Sequence, residues 1–308
     1  MLRGTRRVLD GGLATHLESL GAELGGLLWS GRLLRDDPAL IQRAHADYFA
    51  AGADICITAS YQCSVPNLCS ALGVDEPAAE RLISESVAIA RAAIPPATAG
   101  RPPPLVAGSV GPYGACRNDG SEYTGDYHDS LTPEELGAWH ARRVDLLLAA
   151  GVDLLAFETI PCRAEAVGLL ALLRDRPAAR AWLSLCCRDD ARLSSGEAVD
   201  EVVRDVERSD AAGQIEALGV NCTKPRYVSA LVRRIRALTE RPIVVYPNAG
   251  ESFDAATGRW VEDAEAPPER FAALAEEWFA AGATAIGGCC RTGPAHIAAV
   301  RRVVDATT

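Results

Sequence analysis

The sequence predicts an α/β protein folded as a (β/α)8 TIM barrel, a single domain over residues 1–308. Three observations lead there. Eight β-rich runs alternate with helical patterns along the chain. Most of these runs are continuously apolar, the pattern of parallel strands buried on both faces. The triplet Ala-Ala-Gly recurs just before the second, fourth, sixth and eighth runs.

The runs lie at 8–10, 54–60, 105–110, 153–158, 181–187, 217–222, 243–247 and 284–289. Helix starts are legible between several of them. Asp37-Pro38 caps and opens a helix with Leu40, Ile41, Ala44 and Tyr48 on one face. Thr132-Pro133-Glu134-Glu135 combines a capping box with proline at the first helical position. Pro267-Pro268 opens a helix through Phe271, Leu274 and Trp278. The glycines of the repeated triplet, Gly52, Gly151, Gly213 and Gly282, suit the left-handed position that ends a helix before a short turn into a strand. Strand–helix units of this kind close into a barrel with right-handed crossovers. An open doubly wound sheet usually carries a glycine-rich phosphate loop after its first strand, and Asp10-Gly11-Gly12-Leu13-Ala14 lacks that spacing. The longest strand-to-helix connection, 111–130, is rich in Gly, Asp, Ser and Tyr and is a candidate lid.

Composition narrows the function. Hydrophobic residues make up 48% of the chain, enough for a large core, and the net charge is −10. An acidic chain is a poor partner for nucleic acid or anionic membranes. No apolar stretch is long enough to span a bilayer, and the first ten residues show no signal-peptide core, so the expected location is cytoplasmic. Ten cysteines in a long chain of this kind read as reduced thiols rather than a disulfide framework. The adjacent pairs Cys186-Cys187 and Cys289-Cys290 are poorly placed to bridge within themselves.

In a barrel the reacting groups gather at the C-terminal ends of the strands. Here those ends carry Asp10, Tyr61, Ser109, Glu158, Cys186-Cys187, Cys222, Asn248 and Cys289-Cys290. Cys222, Cys289 and Cys290 could supply the three ligands of a catalytic zinc site, with Gly287 and Gly288 leaving room for both neighbouring sulfurs to turn to one point. Three buried small residues would read the same way, and spacing alone does not separate the two. Glu158 directly follows Leu154-Leu155-Ala156-Phe157, a place where a charge is costly unless it has a task.

The ordered motifs add a family. Val8-Leu9-Asp10-Gly11-Gly12-Leu13-Ala14-Thr15 is followed by Ala59-Ser60-Tyr61-Gln62 and Gly108-Ser109-Val110-Gly111-Pro112-Tyr113-Gly114. Then come Glu158-Thr159-Ile160-Pro161, Gly219-Val220-Asn221-Cys222, Tyr246-Pro247-Asn248-Ala249-Gly250-Glu251 and Gly287-Gly288-Cys289-Cys290-Arg291-Thr292. From end to end this set resembles the homocysteine S-methyltransferases. Gly120-Ser121-Glu122-Tyr123-Thr124-Gly125-Asp126-Tyr127 is similar to the S-methylmethionine-using members. Ala249, Gly293 and His16 depart from the family, which often has Ser, Thr and Glu there.

The resemblance implies one Zn2+ per chain on Cys222, Cys289 and Cys290, with Cys186 and Cys187 as ordinary barrel cysteines. It implies substrates homocysteine and S-methylmethionine or S-adenosylmethionine, with methionine as product. Zinc would deprotonate the homocysteine thiol, and the neutral thioether leaving group would need no general acid. Asp10 and Glu158, with backbone near Gly11, would hold the amino-acid end of homocysteine. Trp29 and Tyr61 are candidates to face the sulfonium, a role that plain packing of the two rings rivals. The resemblance suggests a monomer or weak dimer.

Two rival enzymes remain at this stage. A betaine-using methyltransferase would carry a C-terminal extension, whereas this chain is expected to stop at Thr308 soon after its eighth helix. A Schiff-base aldolase would use the single lysine, Lys224, just past the sixth run. It would leave the cysteines unexplained.

Overall fold

The computed structural model describes residues 2–96, 101, 103–210, 212–250, 252–254, 259–261 and 266–307, with backbone only for 252–254 and 259–261. Glu251 and Thr308, and Ala211 of the third Ala-Ala-Gly triplet, lie outside the described residues. Among those described, eight parallel strands form one sheet: β1 (Arg7–Val8), β2 (Ile55–Ile57), β3 (Leu105–Val110), β4 (Leu154–Ile160), β5 (Ala181–Leu185), β6 (Ile215–Asn221), β7 (Ile243–Tyr246) and β8 (Ala285–Ile286). Each pairs with its sequence neighbour, and β8 returns to β1 in the register Arg7↔Ala285. A parallel bridge between Leu9 and Ile55 joins the two ends of the sheet. The Asp54 amide donates to the Val8 carbonyl at 2.7 Å, and the Asp10 amide donates to the Ile55 carbonyl at 2.9 Å. The barrel is thereby closed.

Two apolar layers hold it. The interior is filled by inward residues of the strands, Ala107, Ala156, Ala217 and Ala285 leaving space for the large rings of Trp182 and Tyr246. The Trp182 indole donates to the Tyr246 hydroxyl at 2.9 Å, so the polar edges of both rings are satisfied inside the barrel. Leu2 joins this cluster and closes one end. The second layer lies between strands and outer helices and runs around the whole barrel.

The helix starts obey their local signals. The Asp37 carboxylate accepts the Leu40 amide at 3.0 Å above Pro38–Ala50. Thr132 and Glu135 form a reciprocal capping box at Pro133–Ala149. Phe271 and Trp278 are buried in Pro268–Ala281. All four repeat glycines have positive φ: 107° at Gly52, 86° at Gly151, 66° at Gly213 and 118° at Gly282. The repeat is therefore a recurring left-handed stop between helix and strand.

Strand ends differ from the sequence reading, and the differences lie at the active rim. Strands β5, β6 and β8 end at Leu185, Asn221 and Ile286, short of the predicted cysteines, because the ladder pairing stops there. Strand β4 runs further than predicted and carries a register shift between Phe157 and Ile160. That bulge re-aims Glu158 and leaves Thr159 at φ 60°. After β7, Ser252–Asp254 pairs antiparallel with Arg259–Val261, a hairpin that the sequence did not announce. Among the described residues no helix is long and apolar enough to cross a membrane.

Candidate metal centre and substrate cleft

The centre begins with two backbone turns. Past β6, Cys222 takes a left-handed φ of 47°, unusual for a residue with a side chain, and its amide donates to the Tyr246 carbonyl at 3.3 Å. The preceding Asn221 is buried and clamps β4: its side chain accepts the Thr159 amide at 2.7 Å and donates to the Thr159 hydroxyl at 2.8 Å. Two non-glycine residues with left-handed backbone thus support one another across adjoining rims, the kind of strain that concentrates at functional sites. Past β8, the Cys289 amide donates to the Pro247 carbonyl at 2.8 Å. The Cys289 carbonyl accepts the Thr292 hydroxyl at 2.7 Å.

Gly287 and Gly288 serve close packing rather than backbone freedom, since neither has positive φ. A Cβ on Gly288 would stand 2.2 Å from the Thr292 hydroxyl oxygen, and one on Gly287 2.5 Å from the Asp10 carbonyl oxygen. A Cβ on Gly12 would lie 2.4 Å from the Cys289 carbonyl oxygen. The Gly-Gly-Cys-Cys turn is pressed against the first strand–helix connection with no room for a side chain.

Three sulfurs meet there. Cys222 lies 2.7 Å from Cys289 and 3.8 Å from Cys290, and Cys289 lies 4.0 Å from Cys290, measured between Sγ atoms. A tetrahedral zinc with arms of about 2.3 Å separates its sulfurs by about 3.8 Å, so two of the three spacings match such a centre. The third is shorter than that and far longer than a disulfide bond. Hydrogen bonds from Cys222 and Cys289 hold the Cys290 thiol well below its ordinary range. The bonds to Cys289 and Cys290 push Cys222 up. At Cys289 a bond from Cys222 pulls down, and the bond to Cys290 with burial outweighs it and pushes the thiol up. A soft, partly ionised three-sulfur set of this kind suits zinc.

The same cavity is lined by Asp10, Gly11, Trp29, Tyr61 and Glu158 together with Cys222, Cys289 and Cys290. Asp10 is buried, and its Oδ2 accepts the Ile57 amide at 2.8 Å while Oδ1 has no partner. Burial, and secondarily the nearby Glu158, push its carboxyl well above the usual range. Glu158 accepts a short hydrogen bond from the Ser109 hydroxyl. Burial lifts its carboxyl to about 8 in spite of that bond. Neither carboxylate has an ion-pair partner among the described residues. Two acids facing one cleft without a cation could receive an ammonium group. The Tyr61 hydroxyl is also buried and unpartnered, and Trp29 is held at a left-handed φ of 44°.

Several residues were not singled out from sequence. Tyr123, Thr159, Asn221 and Tyr246 line the cavity. All four stood in the quoted motifs without a role of their own, because their neighbours carried the recognisable chemistry. A second buried group, Asp10, His45 and Cys56, lies under the cleft, with the Cys56 sulfur 2.9 Å from His45 Nδ1. Burial lowers His45 to about 4, so it is neutral near pH 7.

Other cysteines and the lysine fall outside. Cys186 and Cys187 do not line the cavity, and the Cys186 thiol donates to the Cys222 carbonyl at 3.6 Å. Burial pushes Cys186 up to about 12, the behaviour of an inert core thiol. Lys224 caps the helix Pro225–Arg236 and is absent from the cavity lining, which removes the geometric basis for an aldolase. His16, Ala249 and Gly293, the departures from the family pattern, also lie outside the lining.

The homocysteine S-methyltransferase family profile matches residues 7–304. Homocysteine S-methyltransferase 4 of Zea mays is 44% identical over 307 residues, covering 96% of this chain and 89% of the maize protein. Homocysteine S-methyltransferase of Escherichia coli strain K12 is 46% identical over 302 residues, covering 96% and 94%. The metallated form of the homocysteine methyltransferase MmuM from Escherichia coli superposes with a TM-score of 0.84 at 42% identity, covering 97% of this chain and 96% of that one.

Proposed function

This chain belongs to the homocysteine S-methyltransferase family, and on that premise we propose that it moves a methyl group from a sulfonium donor to homocysteine with one zinc ion held by Cys222, Cys289 and Cys290. The observation that carries the reading is the meeting of three sulfurs and two unpaired carboxylates in one cavity. Zinc in that position would lower the pKa of the homocysteine thiol and leave it nucleophilic at neutral pH.

The chain's own groups do the positioning. Asp10 and Glu158 receive the ammonium of homocysteine, so the thiol end points to the sulfur cluster. The Cys222 and Cys289-Cys290 turns are fixed by backbone contacts to Tyr246, Pro247 and Thr292, which spares the cluster rearrangement on binding. Tyr61 and Trp29 line the cleft where a sulfonium would approach. As the new S–CH3 bond forms, the donor's S–CH3 bond breaks and its electron pair stays on the donor sulfur. The product is a neutral thioether, and no proton has to be supplied. S-methylmethionine and S-adenosylmethionine both satisfy this chemistry, and the loop 120–127 favours the first.

Metal analysis of the parent protein and of Cys222→Ala, Cys289→Ala and Cys290→Ala tests the centre. The parent should hold one zinc per chain, and each variant should lose most of its zinc and its methyl transfer. Full zinc content in any of the three would remove that cysteine from the set, and a requirement for Cys186 instead would overturn the assignment.

A further inference from the structure

A chain of buried polar groups crosses the space between the candidate lid and two outer helices, outside the substrate cleft. Arg143, on the helix Pro133–Ala149, is 2% exposed and makes no direct ion pair among the described residues. Its guanidinium donates to the Tyr61 carbonyl at 2.9 Å and to the Gly111 carbonyl at 2.6 Å. It also donates to His140 Nδ1 at 2.9 Å. The opposite nitrogen, His140 Nε2, donates to Glu165 Oε1 at 2.7 Å. Glu165 lies on the helix Arg163–Arg174 and is fully buried.

The far end of the chain grips the lid twice. The Tyr113 amide donates to Glu165 Oε1 at 2.7 Å, and the Tyr127 hydroxyl donates to Glu165 Oε2 at 2.6 Å. Donor and acceptor roles are consistent throughout only if the imidazole is neutral, with its proton on Nε2. Burial, and secondarily Arg143, lower His140 and keep it so. The imidazole thus bridges a buried cation to a buried anion. Stacked rings fill the space around it: Tyr113 packs edge-on against both Tyr127 and Trp139, and the Arg143 guanidinium lies over Trp139.

What the chain fixes are the supports of two cavity-lining rings. Tyr61 and Tyr123 both line the cleft. Arg143 holds the carbonyl of Tyr61 itself and that of Gly111, where the lid begins. Glu165 holds positions 113 and 127, on either side of Tyr123. Gly111 packs so closely on the Tyr61 ring that a Cβ there would stand 2.6 Å from it. At its far side the lid rests on the next connection, where a Cβ on Gly125 would lie 3.2 Å from the Pro161 carbonyl oxygen. Asp10 and Glu158, by contrast, are held by the Ile57 amide and the Ser109 hydroxyl, and the charge of Arg143 reaches Glu158 only as a minor influence without a hydrogen bond.

We propose that Arg143, His140, Glu165 and Tyr127 form a latch that holds the 111–130 lid over the methyl-donor half of the cleft, making them positioning residues for the donor. The homocysteine half carries Asp10 and Glu158, which make no hydrogen bond to the latch. This division rests on the functional reading above, in which homocysteine meets Asp10 and Glu158 and the sulfonium approaches Tyr61 and Trp29; Tyr123 joins them here as a further ring lining the same cleft.

The test is Tyr127→Phe, which keeps the ring and removes only the hydroxyl that reaches Glu165. Steady-state kinetics with S-methylmethionine and homocysteine should show the donor KM raised roughly three- to tenfold, less than the full worth of a charge-assisted hydrogen bond because Tyr127 acts on the donor only through the lid. Homocysteine KM and zinc content should stay near the parent's. Glu165→Gln, which retains an acceptor oxygen, should move the donor KM in the same direction by less. Amide hydrogen exchange across 113–128 should be faster in Tyr127→Phe than in the parent. An unchanged donor KM with merely lower thermal stability, or equal rises in both KM values, would overturn the latch. If the parent transfers no methyl group from a sulfonium, the functional reading fails instead. The exchange comparison then decides the latch: faster exchange sustains it as the lid's anchor, and parent-like exchange refutes it.

Discussion

Glu158 stands in the cleft as a buried carboxyl lifted to about 8, with Asp10 raised beside it. Pairing with an ammonium requires the ionised form. Below about 8 the free site must release a proton when the cation binds, so affinity falls as pH drops; above that it levels off. L-methionine, whose ammonium and carboxylate stay charged between pH 6 and 8, separates this effect from titration of a substrate thiol. Its affinity should rise with pH by up to about tenfold per unit over that window, and Glu158→Gln should flatten the rise. A parent profile flat with pH would count against an ammonium at Glu158. The same variant should weaken homocysteine by about one to two orders of magnitude, given roughly 1.5–3 kcal/mol for a charged hydrogen bond. Its zinc content should match the parent, and zinc loss with unchanged homocysteine affinity would make Glu158 a support of the metal instead. The charge of Glu158 after an apolar run was legible in the sequence. Its aim was not, because a one-residue bulge turns the side chain and such a bulge leaves no mark in residue type.

At the scale of elements, the pieces with local causes were readable and those with distant causes were not. The Asp37 cap, the Thr132–Glu135 capping box and the four glycine stops follow from groups within a few residues of one another, and all appear as expected. The ends of β5, β6 and β8 depend on contacts with other strands, and the sequence placed them too late. In the Gly-Gly-Cys-Cys turn the sequence suggests glycines that leave room for the two sulfurs, whereas in the fold they answer to Thr292 and to the Asp10 carbonyl. Gly288→Ala should therefore act through Thr292. The added Cβ displaces the hydroxyl that holds the Cys289 carbonyl, and overpacking of this kind costs about 1–3 kcal/mol. A lowered Tm together with weakened zinc binding, measured by thermal unfolding and by competition with a chelator, is the expected result. A variant with parent Tm and parent zinc affinity would show that the turn tolerates a side chain and that its close packing does not set the metal centre.

For the whole molecule, barrel closure is what turns eight separate strand ends into one site. Asp10, just past β1, reaches the Ile57 amide beyond the Leu9–Ile55 bridge, and the Gly288 amide donates to the Asp10 carbonyl at 3.0 Å. The ends of the first and last strands therefore share the cleft, and the cysteines that follow β6 and β8 line one cavity with Asp10 after β1 and Glu158 of β4. The eight-run count made the barrel visible in the sequence, and the ordered motifs made the family visible. Neither revealed the interior pair Trp182 and Tyr246, whose rings look like ordinary strand residues until the barrel closes around them. We propose that this closed rim carries out zinc-dependent methyl transfer from a sulfonium to homocysteine. The most direct measurement is methionine formation by zinc-loaded and chelator-stripped protein, with homocysteine and each of S-methylmethionine, S-adenosylmethionine and betaine. Turnover is expected with a sulfonium donor, fastest with S-methylmethionine, lost on stripping and restored by zinc. Turnover undiminished in the stripped protein, or faster with betaine than with either sulfonium, would contradict it.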